Sequence, residues 1–387
     1  MARADAVREA VGRIRDPEIR RPIAELDMVD SVAVEGAVAR VGLSLTITGC
    51  PAADRIEADA RAAALAVPGI DAVELTIGVM APARRAALVE RLRGVRANPF
   101  GPESLTRVIA VTSGKGGVGK STVTANLAVA LAAAGRSVGV VDADVHGFSI
   151  PGLLGIPADT TPTSLDGLIL PPVAHGVKAV SIGMFLPPDD RAGAVAWRGP
   201  MLHRTLNQFL TDVHFGDLDV LLVDSPPGTG DVAISLGQLL PSAEVLVVTT
   251  PQSAAADVAV RSGLVARRLG QRVIGVVETM SPAAMPDGTV LDLFGSGGGA
   301  AVADRLSIEG EQVPLLGSVP LSAALRRDGD AGVPVVLHDP ADPAAVALAA
   351  IAAAVGSRPR GLAGRSLPLQ RGEMPLPRAA SAVPTDD

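Results

Sequence analysis

From residue 107 onward the chain repeats one arrangement: a short run apolar at every position, followed by a longer stretch of helical character. The runs are "VIAV", "VGVV", "VLLV", "VLVV", "VIGVV" and "LLGSV". A strand with no polar position is buried on both faces. In an alternating strand–helix chain this means α/β architecture, a mainly parallel sheet covered by helices on both faces. The first 80 residues carry other periods. Val7, Ala10, Val11 and Ile14 recur at helical spacing over 4–14. "SVAVEGAVARVGLSLTI" alternates as a hairpin turning near Glu35–Gly36. A second helix is predicted from Pro51 to Val67, and "DAVELTIGV" predicts a further strand. Residues 1–80 therefore read as a small α+β domain and 104–356 as the α/β domain. The stretch 81–103, Arg-rich and then broken by "NPFGP", reads as a linker. Residues 357–387, with five prolines and no period, read as a disordered tail. There is no internal repeat.

Composition narrows the function classes. Hydrophobic residues make up 48% of the 387, and charged residues 19%, so the chain has ample material for large cores. Aromatic residues are 2%, which leaves little for stacking on single-stranded nucleic acid. A net charge of −7 gives no general attraction to nucleic acid or to an anionic membrane. "MARADAVREAVGRIRDPE" has no apolar core of signal-peptide type, and the run Ala344–Val355 is too short to span a bilayer. The one cysteine, Cys50, excludes an intramolecular disulfide. The expectation is a soluble, cytoplasmic protein that binds neither nucleic acid nor membrane. The five histidines show no metal-ligand spacing.

The positive charge is distributed oddly. There are three lysines, Lys115, Lys120 and Lys178, against 31 arginines, and two of the three fall within "SGKGGVGKST". That stretch fits G-x-x-x-x-G-K-[ST], with Gly114, Gly119, Lys120 and Ser121 at the fixed positions. It follows a buried strand and precedes a helix, as a phosphate loop requires. Gly114, Gly116, Gly117 and Gly119 let the backbone N–H groups from Lys115 through Val118 curl around a phosphate at a helix N-terminus. Lys120 is placed for the β- and γ-phosphates and Ser121 for Mg²⁺. Two other strands end on carboxylates, Asp142 and Asp144 in "VGVVDADVHG" and Asp224 in "VLLVDSPPGTGD". Those are the ends at which α/β sheets bind ligands. A carboxylate at Asp224 can hold Mg²⁺ through water, and the glycine beyond it can sense a γ-phosphate.

The loop reads K-G-G-x-G-K-[ST], and this resembles the deviant Walker A ATPases, the class of MinD, ParA, nitrogenase iron protein and the Mrp/Nbp35 cluster carriers. The resemblance implies ATP and Mg²⁺ as ligands, a nucleotide-sandwich homodimer, and a Lys115 that reaches the partner subunit's phosphates. It implies that Asp144 positions the attacking water, that Asp224 is the Walker B carboxylate, and that Pro226, Pro227 and Gly228 form switch II. Further stretches, "DVHGFSIPGLLG", "AWRGPMLHRTLNQFL", "VVTTPQSAAADV" and "FGSGGGAAVADRL", resemble the Mrp family over roughly 5–355. "RDPEIRRPIAELDMV" and "TITGCPAADRIEADA" resemble its MIP18-like N-terminal domain. The implied activity is ATP-dependent carriage of iron–sulfur clusters to apoprotein acceptors.

One segment departs from that pattern. Where the family carries C-P-x-C, this chain reads "ETMSPAAMPDGTVLDLFG", with Met285 and Gly288 at the cysteine positions. Neither supplies the thiolate that a cluster needs. Thr279 stands where relatives have an adenine-contacting Asn, while Pro320 stands where the class packs the base. Cys50 is then the one thiol. Set before Pro51, it is either a thiolate favoured by the following helix N-terminus, and so a cluster ligand, or a small buried hydrophobe. Asp16-Pro17-Glu18 reads as a helix start with an Asp cap in preference to a polar site. Two rival functions remain: a positioning ATPase of the MinD/ParA class, and a regulatory ATPase of the Mrp family that no longer carries clusters.

Overall fold

The computed structural model describes residues 2–47, 50–93, 98–101, 103–145, 147–186, 199–285 and 287–357. Every all-apolar run is a strand of one eight-stranded sheet. In chain order its members are β4 (Arg107–Ser113), β5 (Val138–Asp142), β8 (Val173–Ala174), β9 (Val177–Ser181), β10 (Val220–Asp224), β11 (Glu244–Thr249), β12 (Arg272–Ser281) and β15 (Leu315–Pro320). The spatial order is β15-β12-β11-β4-β10-β5-β9-β8. All neighbours are parallel except β8 and β9, which pair antiparallel.

The sheet has no polar face because both sides are covered. Successive residues of a strand point to opposite faces. Ile109 and Val111 of β4 therefore meet the core under α4 (Lys120–Ala133), α11 (Val335–His338) and α12 (Pro343–Gly356). Val108 turns the other way, toward the core that holds Leu206 and Phe209 of α6 (Gly199–Thr211) and Leu236 of α7 (Asp231–Leu239). Ala110 joins Ala259 of α8 (Ser253–Arg268) and Val302 of α9 (Gly298–Leu306). Alanine and valine fill the space that aromatic residues would take in most chains of this size.

The N-terminal unit also folds as its periods require. Helix α1 (Ala2–Gly12) and helix α2 (Ala53–Leu65) flank β1 (Val29–Glu35), β2 (Val38–Leu45) and β3 (Ala72–Val79). β1 and β2 form the hairpin, with Glu35 opposite Val38 and Gly36 left-handed at φ 63°. β3 lies parallel to β2.

Two features were not expected. Within the segment 81–103, read as a linker, Pro82–Arg93 is a helix, α3, whose Leu88, Val89 and Leu92 are buried in the N-terminal core. The density of arginine in "ARRAALVERLR" hid the apolar stripe between the charges. The second is a small hairpin, β6 (Thr163–Leu165) and β7 (Leu168–Leu170), which belongs by sequence to the ATPase unit. Leu165, Leu168 and Leu170 are nonetheless buried in the N-terminal core. Burying three leucines contributes on the order of 5 kcal/mol or more, so the two units are docked and not merely tethered. Residues 358–387, read as a disordered tail, lie outside the described residues. The remaining elements are α5 (Ile150–Leu153), α10 (Ala323–Asp330) and the two-stranded β13 (Ala283–Ala284) and β14 (Val290–Leu291). Among the described residues no helix is long and apolar enough to cross a membrane.

Candidate functional site

The loop 114–119 leaves the end of β4 and turns into α4. Three of its glycines, Gly114, Gly117 and Gly119, are required by the geometry. A side chain at Gly114 would overlap the backbone of Val258 and Ala259 on α8, so the helix packs directly on the loop. Gly117 and Gly119 are left-handed, at φ 76° and 79°, which side chains other than hydrogen resist. The loop is also held from outside. Gly228 N–H donates to Ser113 O at 2.8 Å, and the Ser113 hydroxyl donates to Lys115 O at 3.0 Å.

At the first turn of α4, three side chains converge on Asp224, which is fully buried at the end of β10. Lys120 Nζ lies 2.6 Å from Asp224 Oδ2, and the Ser121 hydroxyl donates to the same oxygen at 2.6 Å. The Thr124 hydroxyl takes the other oxygen, Oδ1, at 2.7 Å. Lys120 Nζ is also 3.8 Å from Asp144 Oδ2. The expected residues Lys120, Ser121, Asp144 and Asp224 are thus brought to one place. Thr124 was missed; its signal was its position one helical turn after Lys120. The Ser121 hydroxyl and the Asp224 carboxylate, 2.6 Å apart, are hard oxygen donors of the kind that Mg²⁺ takes.

Asp142 has a different role from its neighbour Asp144. It is fully buried and accepts from Asp144 N–H, from Ile150 N–H at 3.3 Å and from the Ser181 hydroxyl at 3.1 Å. Burial first, and the adjacent Asp224 charge second, push its carboxyl up to about 8. This direction favours its neutral form, and its three hydrogen bonds brace the segment that carries Asp144.

Lys115 stands apart from these groups. Its side chain is exposed, and Nζ lies 3.3 Å from Gln252 Oε1. Beside the loop is a cavity of about 250 Å³, lined by Gly119, Val123, Leu153, Thr279, Pro320 and Leu325. Pro320 is on its wall, as expected for a base pocket. The Thr279 hydroxyl lies 2.7 Å from Val118 O and 3.0 Å from Thr249 O, so it is committed to the backbone of the loop and of β11.

Cys50 corrects an expectation. The helix after it begins at Ala53 with Ala52 as its cap, not at Pro51, and the thiol is 7% exposed within the N-terminal core. Burial pushes the thiol up, and the charges of Glu18 and Asp16 add to that, outweighing a hydrogen bond from the Ala52 backbone. The net direction is upward, opposite to the lowering that a helix terminus gives. Asp16 is a cap, as preferred from the sequence, though of a turn: its Oδ1 accepts from Glu18 N–H at 2.9 Å and Ile19 N–H at 2.8 Å. Met285 and Gly288 fall at the turn between β13 and β14, with Met285 exposed. Among the described residues no group of three or more His, Cys, Asp or Glu side chains is placed to hold a metal ion.

Sheet order, loop and the lysine–carboxylate cluster define a P-loop nucleotide-binding protein. Residues 104–356 match the family of NUBPL iron-transfer P-loop NTPases, and residues 4–77 match the iron-sulfur cluster assembly protein family. The chain belongs to the first of these families and carries a domain of the second. It is 53% identical over 371 residues to the iron-sulfur cluster carrier protein of Mycobacterium tuberculosis, covering 94% of this chain and 96% of the relative. It is 42% identical over 349 residues to the protein of the same description from Deinococcus radiodurans, covering 90% and 93%. A nucleotide-binding protein from Archaeoglobus fulgidus, solved with ADP, superposes with a TM-score of 0.49 at 32% identity, over 60% of this chain and 92% of that one.

Proposed function

We propose that the chain is an ATP-hydrolysing carrier that takes up iron–sulfur clusters and delivers them to apoprotein acceptors, acting as a homodimer. The observation that carries the nucleotide half is the convergence of Lys120, Ser121 and Thr124 on Asp224 at the mouth of a glycine loop. Lys120 is held by its own carboxylate partner; on binding it exchanges that partner for the β- and γ-phosphate oxygens. The loop amides supply the remaining donors, already oriented by the left-handed glycines. Ser121 and Asp224 would hold a Mg²⁺, which would screen the phosphate charge. Asp144 orients the attacking water, and Asp142, hydrogen-bonded from three sides, keeps the Asp144 segment in register. Lys115, exposed and, among the described residues, hydrogen-bonded to the neutral Gln252 carboxamide, reaches the phosphates of the partner subunit.

The cargo half rests on family membership and on a single thiol. With Met285 and Gly288 at an exposed turn, Cys50 is the cluster ligand in this reading, two per dimer where a [4Fe–4S] centre takes four. A cluster held there is incompletely protein-ligated and draws on an outside thiol such as glutathione. The burial of Cys50 favours the second reading, a regulatory ATPase without cargo. Anaerobic reconstitution with iron and sulfide separates them. A labile, substoichiometric cluster that is transferable to an apo-acceptor and lost in Cys50→Ser supports carriage. Absence of a cluster in the wild type supports the regulatory reading.

A further inference from the structure

The hairpin β6–β7 lies between the two units, with an edge paired to the ATPase unit and apolar side chains given to both. Ile169 N–H donates to Asp212 O at 2.8 Å, and His214 N–H donates to Ile169 O at 2.8 Å, so the ATPase unit extends it by a parallel bridge at Val213. Alternation along β7 then sends Ile169 into the core of Phe209 and Leu210, and Leu168 and Leu170 into the N-terminal core. Polar ties add to this packing. Thr163 donates to Glu18 Oε1 at 3.0 Å, and Arg85 of α3 reaches both oxygens of Asp166 at 3.0 and 3.3 Å. Arg20 donates to Gly176 O at 2.8 Å, just before β9.

The other end of this segment is at the nucleotide site. α5 begins at Ile150, whose N–H is bonded to Asp142, and its Leu153 lines the cavity beside the loop. Gly155 then presses on Gly332 so closely that a Cβ on Gly155 would stand 2.7 Å from Gly332 O. From Leu153 to Thr163 is ten positions. A ligand that shifts Asp144 or fills the cavity against Leu153 acts on a short, pinned segment that ends inside the other domain.

We propose that the β6–β7 hairpin is a coupler: nucleotide binding at the loop shifts it, and it moves the Asp16–Ile19 turn through Glu18, changing access to Cys50. The proposal rests on the nucleotide reading of the loop. Glu18 is the acceptor for Thr163, and the next residue, Ile19, is buried in the same core as Cys50, on whose thiol the Glu18 charge also acts. Packed elements transmit displacement because they shift between discrete arrangements more readily than they deform. By linkage, whatever the nucleotide does to the turn, the turn does to nucleotide affinity by the same factor.

Cys50 is the only thiol of the chain, so a thiol reagent reads one site in the intact protein. The test is the rate of its modification by dithionitrobenzoate, with and without magnesium and a non-hydrolysable ATP analogue. Binding is followed separately with a fluorescent nucleotide. The expected result is a change of rate of about fivefold or more, the lower range of allosteric coupling. In Arg85→Ala and in Thr163→Val, both peripheral to the site, the change should fall to less than about twofold while nucleotide still binds, with part of the coupling lost in each. Hydrogen exchange at residues 14–23 in the same samples should lose its nucleotide dependence in parallel. Bound nucleotide with no change in the wild-type rate would overturn the coupling alone, as would a full response retained in both variants. Failure of the fluorescent nucleotide to bind would overturn the nucleotide reading and this proposal together.

Discussion

Asp224 and Asp142 face one another in register across β10 and β5, both fully buried, and only one of them has a cation. Asp224 is paired with Lys120, whereas Asp142 is bonded to a hydroxyl and two backbone amides. Burial first, and the neighbouring Asp224 charge second, push the Asp142 carboxyl up and so favour its neutral form. The sheet end thus sets a lysine-paired carboxylate beside a hydrogen-bonded brace.

The Lys120–Asp224 pair makes Lys120→Ala a double lesion. Removing the phosphate-binding cation should lower nucleotide affinity or turnover by about a hundredfold or more. It also leaves Asp224 buried without its partner, which should destabilise the nucleotide-free protein by about 3 kcal/mol. Urea unfolding without ligand reads the second effect, and nucleotide titration the first. Wild-type stability in the variant would show that the ion pair is not the resting state of Lys120.

Lys115→Ala should behave differently. Its exposed side chain contributes little to folding, and nucleotide binding by each subunit should survive within about threefold. Hydrolysis and ATP-dependent dimer closure should fall by about a hundredfold. Mixed dimers of Lys115→Ala with Asp144→Asn subunits test the trans role, since only a lysine acting across the interface rescues one of the two sites. Normal turnover by Lys115→Ala homodimers would remove it from the mechanism.

The junction between the units should loosen in acid. Burial, and the charges of Lys178 and Arg21, push the His214 imidazole from 6.5 down to about 4. The folded protein holds this ring neutral while the unfolded chain protonates it below 6.5. The stabilisation is therefore complete above pH 6.5 and is lost as pH falls toward 4, by up to about 3 kcal/mol. His214→Gln should flatten the stability–pH curve over that interval. An unchanged slope in the variant would assign the acid sensitivity to other groups.

Cys50→Ser should leave ATP hydrolysis within about twofold of wild type, because the thiol lies in the N-terminal core and not at the loop. Its main effect should be on cluster content. Placing a hydroxyl in an apolar core costs about 1–2 kcal/mol, visible as a lower melting temperature. A collapse of turnover without unfolding would mean that the thiol takes part in the ATPase cycle.

What could be read from the sequence, and what could not, follows from how local each signal is. The six apolar runs and the glycine loop are local statements, and each became the strand or loop expected. β9 was overlooked because Lys178 sits in "VKAVS", yet every residue of that strand is buried. The lysine is tolerated there because it lies under the N-terminal unit, and burial pushes it down to about 8. The hairpin β6–β7 was overlooked because its leucines have no partners within their own domain. Cys50 stayed open between a thiolate and a buried hydrophobe for a related reason: a helix terminus acts at short range, whereas the cost of burial depends on a core assembled from distant segments, including Leu165 and Ile19.

The hairpin also changes what counts as a domain in this protein. A fragment ending in the segment 94–103 would contain every strand of the three-stranded sheet, yet its interior would lack Leu165, Leu168 and Leu170. The complementary fragment would carry those leucines bare to water. Each half, expressed alone, should aggregate or melt early, and mixing the two should restore a soluble complex. The two family matches divide the chain between residues 77 and 104, whereas the dry interior of the first unit continues past that division into the β6–β7 hairpin.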